Sequence, residues 1–294
     1  MITNPTSFHT KKTTIMLTQE QIEFFLEKAY NAALRAGARI LEIYNDGIDI
    51  EVNLKSDRTP ITLADRDSHT LIKSYLGPTY IPLLSEEGRD LLYEERRGWD
   101  FFWMVDPLDG TKEFIKGNGE FTVNIALMYD NRPQIGVTYV PYINKIYFAV
   151  TGMGSYLKRD VVPDAASEQS YAAIFAGAER LPLTNQANEP LRIAVSRSHN
   201  TDETFEYITR IKQQYPSAVV IQQGSSYKFC MLAEGLVDVY VRTSPTSEWD
   251  TAAGEVILKE AGGRVEQLAG GPLNYNKESL KNPHFICKSP FWKD

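Results

Sequence analysis

The segment that decides the fold runs from residue 101 to residue 111 and reads Phe101-Phe102-Trp103-Met104-Val105-Asp106-Pro107-Leu108-Asp109-Gly110-Thr111. Its first five residues are all apolar and predict a buried strand. Pro107 and Gly110 cannot continue a strand, so we expect the strand to end at two aspartates. The following turn would bring the Asp106 and Asp109 carboxylates and the Leu108 carbonyl towards one point. Such hard oxygen ligands suit Mg²⁺, although an isolated motif could be a solvated turn.

Acidic residues elsewhere favour the metal interpretation. Glu86 and Glu87 follow a short apolar stretch, and their like charges would repel each other unless a cation lay between them, although a solvated loop is the alternative. Asp250 stands where a helix is predicted to begin. Helix capping alone would explain Asp250, but capping and metal binding are compatible roles.

Hydrophobic periodicity predicts different architectures in the two halves of the chain. In the first half we expect a helix from Thr18 to about residue 45, a second from about Asp65 to Gly77, and an antiparallel meander of strands at 122–129, 134–140 and 145–150. The polar segment 160–189 is the best candidate for a domain junction. Beyond it, strands alternate with helices, at 191–195, 218–222, 237–241 and 264–266 for the strands and 201–214, 227–234 and 250–261 for the helices.

Length and composition indicate an ordinary globular protein of two coupled domains or one large α/β unit. The chain has 294 residues, of which 43% are hydrophobic and 23% charged. Its net charge of −7 argues against a nucleic-acid partner. No apolar run is long enough for a transmembrane segment and the start carries no export signal, so we expect a cytoplasmic protein with Cys230 and Cys287 as buried thiols.

Several familiar catalytic motifs are absent from the sequence. It contains no phosphate-binding P-loop pattern, no His-Glu-x-x-His and no Gly-x-Ser-x-Gly, which argues against nucleoside triphosphatases, zinc proteases and serine hydrolases. The four histidines, at 9, 69, 199 and 284, share no metal-ligand spacing. The chemistry of this protein is therefore expected to depend on carboxylates.

Four motifs, at residues 62–65, 85–87, 106–111 and 249–254, together resemble the inositol monophosphatase superfamily of Mg²⁺-dependent, lithium-sensitive phosphatases. They occur in the family's order, and the resemblance spans roughly residues 20–290. The longer strings 106–114, 196–199 and 224–230 are similar to the superfamily's 3'(2'),5'-bisphosphate nucleotidase branch, the CysQ type. Inositol monophosphatases usually have Thr-Asn where this chain has Lys112-Glu113, which disfavours an inositol substrate.

The resemblance implies a role for each matching residue. Two or three Mg²⁺ ions would be bound by Glu86, Asp106, the Leu108 carbonyl, Asp109 and Asp250. Asp65 and Thr111 would position and deprotonate the attacking water. The substrate would contact residues from both halves, namely Glu86, Leu108, Asp109, Gly110, Thr111, Ser196, His199, Ser225, Lys228, Arg242 and Asp250. Ser225, Lys228 and Arg242 would hold the non-reacting end of the nucleotide, with Ser196 and His199 nearby, although Lys228 could instead extend to solvent.

The resemblance also implies a combined α/β and α+β fold, a layered αβαβα sandwich of the inositol monophosphatase and fructose-bisphosphatase type. We expect a loose leader at 1–17, an α+β metal-binding half at 18–160, and an α/β half at 161–294 that completes the metal site and binds the nucleotide.

The implied activity is removal of the 3'-phosphate of 3'-phosphoadenosine 5'-phosphate, giving AMP and phosphate, a step that recycles a by-product of sulfur metabolism. An inositol or other sugar-phosphate substrate is the enzymatic alternative, and a metal- or nucleotide-binding regulatory protein is the non-enzymatic one. The resemblance also allows peripheral association with the inner face of the cell membrane.

Overall fold

Two β-sheets form the frame of the protein, and helices pack on both sides of each. The computed structural model describes residues 17–46, 53–54, 60–161 and 168–293, with the backbone alone at 53–54. The predicted leader, apart from Leu17, lies outside these residues, as do the polar segment 55–59 and residues 162–167. Within the described ranges, no helix is both long enough and apolar enough to cross a bilayer.

The helices and strands are as follows. The α-helices are α1 (Gln19–Asn45), α2 (Leu63–Leu76), α3 (Tyr93–Arg96), α4 (Thr111–Ile115), α5 (Tyr171–Phe175), α6 (Asp202–Gln214), α7 (Tyr227–Glu234) and α8 (Ala252–Glu260). The strands are β1 (Asn53–Leu54), β2 (Pro60–Ile61), β3 (Leu83–Ser85), β4 (Phe101–Asp109), β5 (Thr122–Tyr129), β6 (Arg132–Val140), β7 (Lys145–Val150), β8 (Gly154–Lys158), β9 (Glu179–Arg180), β10 (Arg192–Ser196), β11 (Val219–Gln223), β12 (Val239–Arg242), β13 (Arg264–Gln267) and β14 (Phe285–Lys288).

The larger sheet has the strand order β3-β4-β5-β6-β7-β8-β9 among the described residues. Only β3 and β4 pair in parallel, and the predicted antiparallel meander of β5, β6 and β7 is confirmed. The short strands β3, β8 and β9 were not predicted. Because β9 pairs with β8, this sheet takes a strand from the segment 160–189 that was expected to be a junction.

The prediction that the first buried strand stops before Pro107 is wrong. Strand β4 continues to Asp109, with a break in register to β5 between Asp106 and Asp109. A β-bulge tolerates residues that cannot take part in the regular ladder, and Pro107 lacks an N–H group. The bulge keeps the two aspartates at the end of one strand.

The smaller sheet has the order β11-β10-β12-β14-β13. Strand β10 pairs in parallel with β11 and β12, while β14 is antiparallel to both of its neighbours. The predicted strands and helices of this half lie within two residues of the observed ones, and β14 is the strand of this sheet that was not predicted.

The layers alternate as α, β, α, β and α, which confirms the expected sandwich. Helices α1 and α2 share a core with one face of the larger sheet, including Trp103 and Val105. The opposite face, including Phe102, packs with α7, α8 and the smaller sheet. Helix α6 covers the outer face of the smaller sheet through Ile208. The two cysteines, Cys230 on α7 and Cys287 on β14, are buried in the core between the two sheets, and their burial was predicted.

Local interactions explain where the first two helices begin. Thr18 and Gln21 form the predicted capping box at α1. Helix α2 begins at Leu63, two residues before the expected start, because Asp65 accepts hydrogen bonds from the backbone N–H and hydroxyl of Thr62 at 2.7 and 2.6 Å. Asp65 therefore belongs to the first turn of α2, and its carboxylate is held in place by the cap.

Candidate active site

One cavity of about 420 Å³ lies where the ends of β3, β4, β10 and β12 approach the beginnings of α4, α7 and α8. It is lined by residues of both halves of the chain. Almost every residue that was assigned a role lines it, namely Glu86, Asp106, Leu108, Asp109, Gly110, Thr111, Ser196, His199, Ser225, Lys228, Arg242 and Asp250. Asp65 does not line the cavity but contacts it through Thr111.

Three carboxylates form the acidic centre of this cavity. Glu86, Asp106 and Asp250 each present an oxygen, and these atoms lie within 4.8 Å of one another. The Asp106 carboxylate also accepts a hydrogen bond from the backbone N–H of Leu108 at 3.1 Å, which stabilises the bulge. Burial, together with the charges of Asp109 and Glu86, raises the pKa of Asp250 from 3.8 to about 8. The arrangement therefore concentrates negative charge at one end of the cavity.

Asp109 lines the same cavity outside this trio of carboxylates. Its Oδ2 accepts hydrogen bonds from the backbone N–H of Ser226, at 2.6 Å, and from the Ser226 hydroxyl. Burial raises the pKa of Asp109, and the charge of Glu86 raises it further. The same hydroxyl lies 2.6 Å from the backbone carbonyl oxygen of Asp250. Ser226 thus joins an aspartate of the first half to the turn of the second half that carries Asp250.

Asp65 and Thr111 form a hydrogen-bonded pair beside the acidic centre. The Thr111 hydroxyl donates to Oδ1 of Asp65 at 3.0 Å, and its other acceptor, the Leu108 carbonyl, is more distant at 3.4 Å. Asp65 is only 1% exposed, and its Oδ2 is occupied by Thr62. The free lone pair of the Thr111 hydroxyl can therefore accept a hydrogen bond from a molecule in the cavity.

Gly110 connects the strand of the acidic centre to α4 and requires a residue without a side chain. Its φ is +96°, in the left-handed region, and a Cβ at this position would lie 2.8 Å from the carbonyl oxygen of Glu120. The turn therefore stays close to the neighbouring segment, and Thr111 faces Asp65.

Two buried basic side chains, those of Lys228 and Arg242, also line the cavity. Lys228 is 2% exposed, which excludes the alternative that it extends to solvent. Its Nζ donates to the carbonyl oxygens of Gln223 and Ser225, at 3.0 and 2.5 Å, and burial lowers its pKa to about 7. Arg242 ends strand β12 and donates to the carbonyl oxygens of Ser244 and Pro245, both at 3.2 Å.

His199 contributes a neutral ring to the cavity wall. Burial and the charge of Lys112 lower its pKa to about 4, so it is uncharged at neutral pH. Its Nε2 lies 2.9 Å from Nζ of Lys112, and a neutral imidazole nitrogen can accept that hydrogen bond. The backbone N–H of His199 donates to the Ser196 hydroxyl at 3.2 Å. Lys112 and His199 belong to different halves of the chain, so this contact closes one side of the cavity.

Sequence reasoning assigned no role to three residues that the structure brings to the site: Ser226, Lys112 and Glu113. Ser226 and Lys112 line the cavity and contact Asp109 and His199, respectively. Glu113 is buried and accepts a hydrogen bond from the hydroxyl of Ser198. All three lie inside motifs quoted from the sequence, but their partners are roughly 80 to 120 residues away along the chain.

The chemistry of the donor set fits a divalent metal ion. Three carboxylate oxygens within 4.8 Å of one another repel each other electrostatically. The pKa of Asp250 is raised first by burial and then by the charges of Asp109 and Glu86. Hard cations such as Mg²⁺ prefer carboxylate oxygens, and a cation between these groups would offset their repulsion. The acidic centre can therefore bind metal.

Comparison with known families gives one match across most of the chain. The model of the inositol monophosphatase family matches residues 21–290. The 3'(2'),5'-bisphosphate nucleotidase CysQ of Salmonella typhimurium is 40% identical over 263 residues, covering 88% of this chain and 98% of that protein. The protein of the same name from Escherichia coli K12 is 38% identical over 263 residues, with the same coverage of both chains.

Solved structures resemble this chain over nearly its whole length. The crystal structure of CysQ from Bacteroides thetaiotaomicron, described as a bacterial member of the inositol monophosphatase family, superposes with a TM-score of 0.85 at 45% identity, covering 93% of this chain and all of the other. An inositol monophosphatase from Thermotoga maritima gives a TM-score of 0.70 at 22% identity, covering 90% and 92%. At that identity the second comparison supports the shared fold alone.

Proposed function

This chain belongs to the inositol monophosphatase family, and we propose that it is a 3'(2'),5'-bisphosphate nucleotidase that converts 3'-phosphoadenosine 5'-phosphate to AMP and phosphate. The observation that carries this proposal is the set of charged groups that line the cavity described above. The carboxylates of Glu86, Asp106 and Asp250 form a cluster in its lining, and the buried basic side chains of Lys228 and Arg242 line the same cavity. A substrate with two separated phosphates matches this arrangement.

We propose Mg²⁺ as the cofactor, with two or three ions held by Glu86, Asp106, the Leu108 carbonyl, Asp109 and Asp250. When bound, the ions neutralise the transferring phosphoryl group and lower the pKa of the attacking water. Four of these ligands come from the half at 18–160, and Asp250 comes from the half at 161–294. The proposed site is therefore complete only when the two halves are packed together.

Thr111 and Asp65 are the groups proposed to handle the proton of the attacking water. The Thr111 hydroxyl donates its hydrogen to Asp65, so its oxygen can accept a hydrogen bond from water in the cavity. A proton taken from the water by Thr111 can pass to Asp65 as Thr111 releases its own. The backbone amides of Gly110 and Thr111 are proposed to bind the reacting phosphate.

The remaining substrate contacts are proposed at the cationic side of the cavity. Arg242 is fixed by two backbone carbonyls, which leaves other guanidinium N–H groups for the 5'-phosphate. Lys228 uses two of its three N–H donors on the backbone, so one remains for the substrate. Ser196, His199 and Ser225 line the same wall and are proposed to contact the nucleoside.

An inositol phosphate is the alternative substrate, because the acidic centre recognises the phosphoryl group alone. Lys112 and Glu113, which stand where inositol monophosphatases usually have Thr-Asn, are engaged with His199 and Ser198 in this structure. Through these contacts, residues of the second half of the chain are held beside the acidic centre. This favours a substrate that is large enough to reach them.

The deciding experiment compares kcat/KM for 3'-phosphoadenosine 5'-phosphate and for inositol 1-phosphate with Mg²⁺. We expect the bisphosphate to be hydrolysed with the higher kcat/KM and phosphate to be released from its 3' position. A higher value for the inositol ester would reject the proposal. Binding of the bisphosphate without phosphate release would instead favour a regulatory protein.

A further inference from the structure

Glu120 lies between the acidic centre and the loop that leads into α7, and no role has been assigned to it so far. It precedes β5, in the first half of the chain, and its side chain is 16% exposed. Its carboxylate accepts hydrogen bonds from both Nε and Nη2 of Arg197, which follows strand β10 in the second half. It also accepts a bond from the backbone N–H of Gly224 at 2.7 Å. One side chain thus holds two loops of the other half.

The backbone of Glu120 lies close to both the Gly110 turn and the loop at 223–226. Its carbonyl oxygen lies 2.8 Å from where a Cβ on Gly110 would be and 2.9 Å from where a Cβ on Gly224 would be. A real Cβ is not found at such distances, so both positions require glycine while Glu120 stays in place. Glu120 therefore fixes the distance between the turn of the acidic centre and the loop at 223–226.

The loop held by Glu120 carries groups that act at both sides of the cavity. Ser226 binds Asp109 through its backbone N–H and hydroxyl. The carbonyl oxygens of Gln223 and Ser225 accept the hydrogen bonds of Lys228. A displacement of this loop would therefore move the Lys228 ammonium relative to the acidic centre.

A second acidic residue supports the same loops. Glu113 accepts a hydrogen bond from the hydroxyl of Ser198, whose oxygen in turn accepts a bond from Nζ of Lys116 at 2.9 Å. The side chain of Glu113 also lies against Gly224, because its Cγ would be 2.8 Å from a Cβ there. Segment 196–200 and the loop at 223–226 are thus both anchored on the first half.

We propose that Glu120 is a positioning residue that sets the spacing between the two phosphate-binding sides of the cavity, and so selects bisphosphorylated nucleosides over monophosphorylated ones. This inference rests on the proposed function and adds a specificity determinant to it. Glu120 does not touch the reacting atoms. It acts through the loop at 223–226, whose carbonyl oxygens hold the Lys228 ammonium.

The test is Glu120→Gln, assayed on adenosine 3',5'-bisphosphate and on adenosine 3'-monophosphate. Glutamine keeps the volume but places an NH₂ group against either Arg197 or the N–H of Gly224, so at least one bond is lost. We expect KM for the bisphosphate to rise about tenfold or more, since small misplacements of binding groups have large effects, with kcat changed far less. KM for the monophosphate should stay within about twofold of the wild-type value.

The matched control is Glu179→Gln, which breaks another Glu–Arg pair, with Arg159, outside the cavity. We expect its KM values for both substrates to equal those of the wild type. In the Lys228→Ala background, Glu120→Gln should raise KM little further, because the ammonium that the loop positions would be absent. Gly224→Ala is the second variant, and it should raise KM for the bisphosphate selectively if it folds.

The outcomes separate this inference from the proposed function. Two results would show that the inference is wrong, provided that the wild-type protein hydrolyses the bisphosphate. Either Glu120→Gln has the same KM values as Glu179→Gln, or its KM rises equally for both substrates, which would make Glu120 only structural. If the wild type prefers inositol 1-phosphate, the proposed function itself fails, whatever the variants do. If Glu120→Gln raises KM for the bisphosphate alone and has a melting temperature like that of Glu179→Gln, the inference is supported.

Discussion

The hydroxyl of Thr111 donates to the Asp65 carboxylate across 3.0 Å, which joins the first turn of α4 to the first turn of α2. The other oxygen of Asp65 is held by the backbone N–H and hydroxyl of Thr62. The carboxylate therefore has one orientation, with a single oxygen directed at Thr111. This geometry makes the pair testable by removing the hydroxyl without changing the shape of the side chain.

Thr111→Val is expected to lower kcat for the bisphosphate by about a hundredfold to ten-thousandfold, the usual loss when a positioned proton-transfer group is removed. Valine has nearly the same shape as threonine but cannot accept or donate a proton. The measurement is kcat at saturating substrate and Mg²⁺. Thr111→Ser, which keeps the hydroxyl, is the matched control and should retain most of the activity. A loss of activity in Thr111→Ser but not in Thr111→Val would show that the methyl group, and not the hydroxyl, matters.

Asp250→Asn is expected to stabilise the metal-free protein above neutral pH. The folded-state pKa of about 8 lies above the ordinary value of 3.8, so the folded form binds the proton more tightly than the unfolded form. The free energy of unfolding should therefore fall as the pH rises from 3.8 towards 8, by up to about 1.4 kcal/mol per pH unit from this group. Asparagine keeps an oxygen for the backbone N–H of Ser247 and does not titrate.

Urea unfolding at pH 6, 7 and 8 with a chelator measures this difference. The slope of unfolding free energy against pH should be smaller for Asp250→Asn than for the wild type. Glu206→Gln, which removes a charge that is 65% exposed on α6, is the control and should leave the slope unchanged. A variant less stable than the wild type at pH 8 would mean that Asp250 is needed by the fold.

Mg²⁺ is expected to raise the melting temperature of the wild-type protein. A ligand at a hundred times its Kd stabilises the folded state by about 2.7 kcal/mol, provided that the unfolded chain does not bind it. Asp106→Asn removes one of the three clustered carboxylates and should lose most of this shift. Calorimetry with Mg²⁺, compared with NaCl at equal ionic strength, measures the effect. An undiminished shift in Asp106→Asn would place the ion elsewhere.

Arg242→Ala is expected to raise KM for the bisphosphate by the equivalent of about 1.5–3 kcal/mol, the range for a hydrogen bond to a charged group. Hydrolysis of adenosine 3'-monophosphate should change little, because that substrate lacks the 5'-phosphate. An equal rise in KM for both substrates would mean that Arg242 acts at the reacting phosphate and not at the 5'-phosphate.

Local patterns were sufficient to predict most elements of the fold. The apolar stripe and the capping box of α1 depend on residues three or four apart, so the sequence alone shows them. The strands β5 and β7 were predicted at their observed bounds for the same reason. The strand β4 was predicted too short, because a bulge around Pro107 depends on the pairing with β5 and not on the propensity of the segment.

The carboxylates of the acidic centre were identified before the fold was known, because Asp106, Asp109 and the Leu108 carbonyl lie in one short turn and Glu86 and Asp250 belong to recognisable motifs. What the sequence could not reveal is how the loops of the two halves meet. Ser226 binds Asp109 from 117 residues away, and Glu120 binds Gly224 across 104 residues. Side chains so far apart along the chain become neighbours only when β4 and α7 pack in the same layered structure. Local sequence patterns determined the elements and the carboxylate motifs, while tertiary packing alone decided the spacing of the cavity.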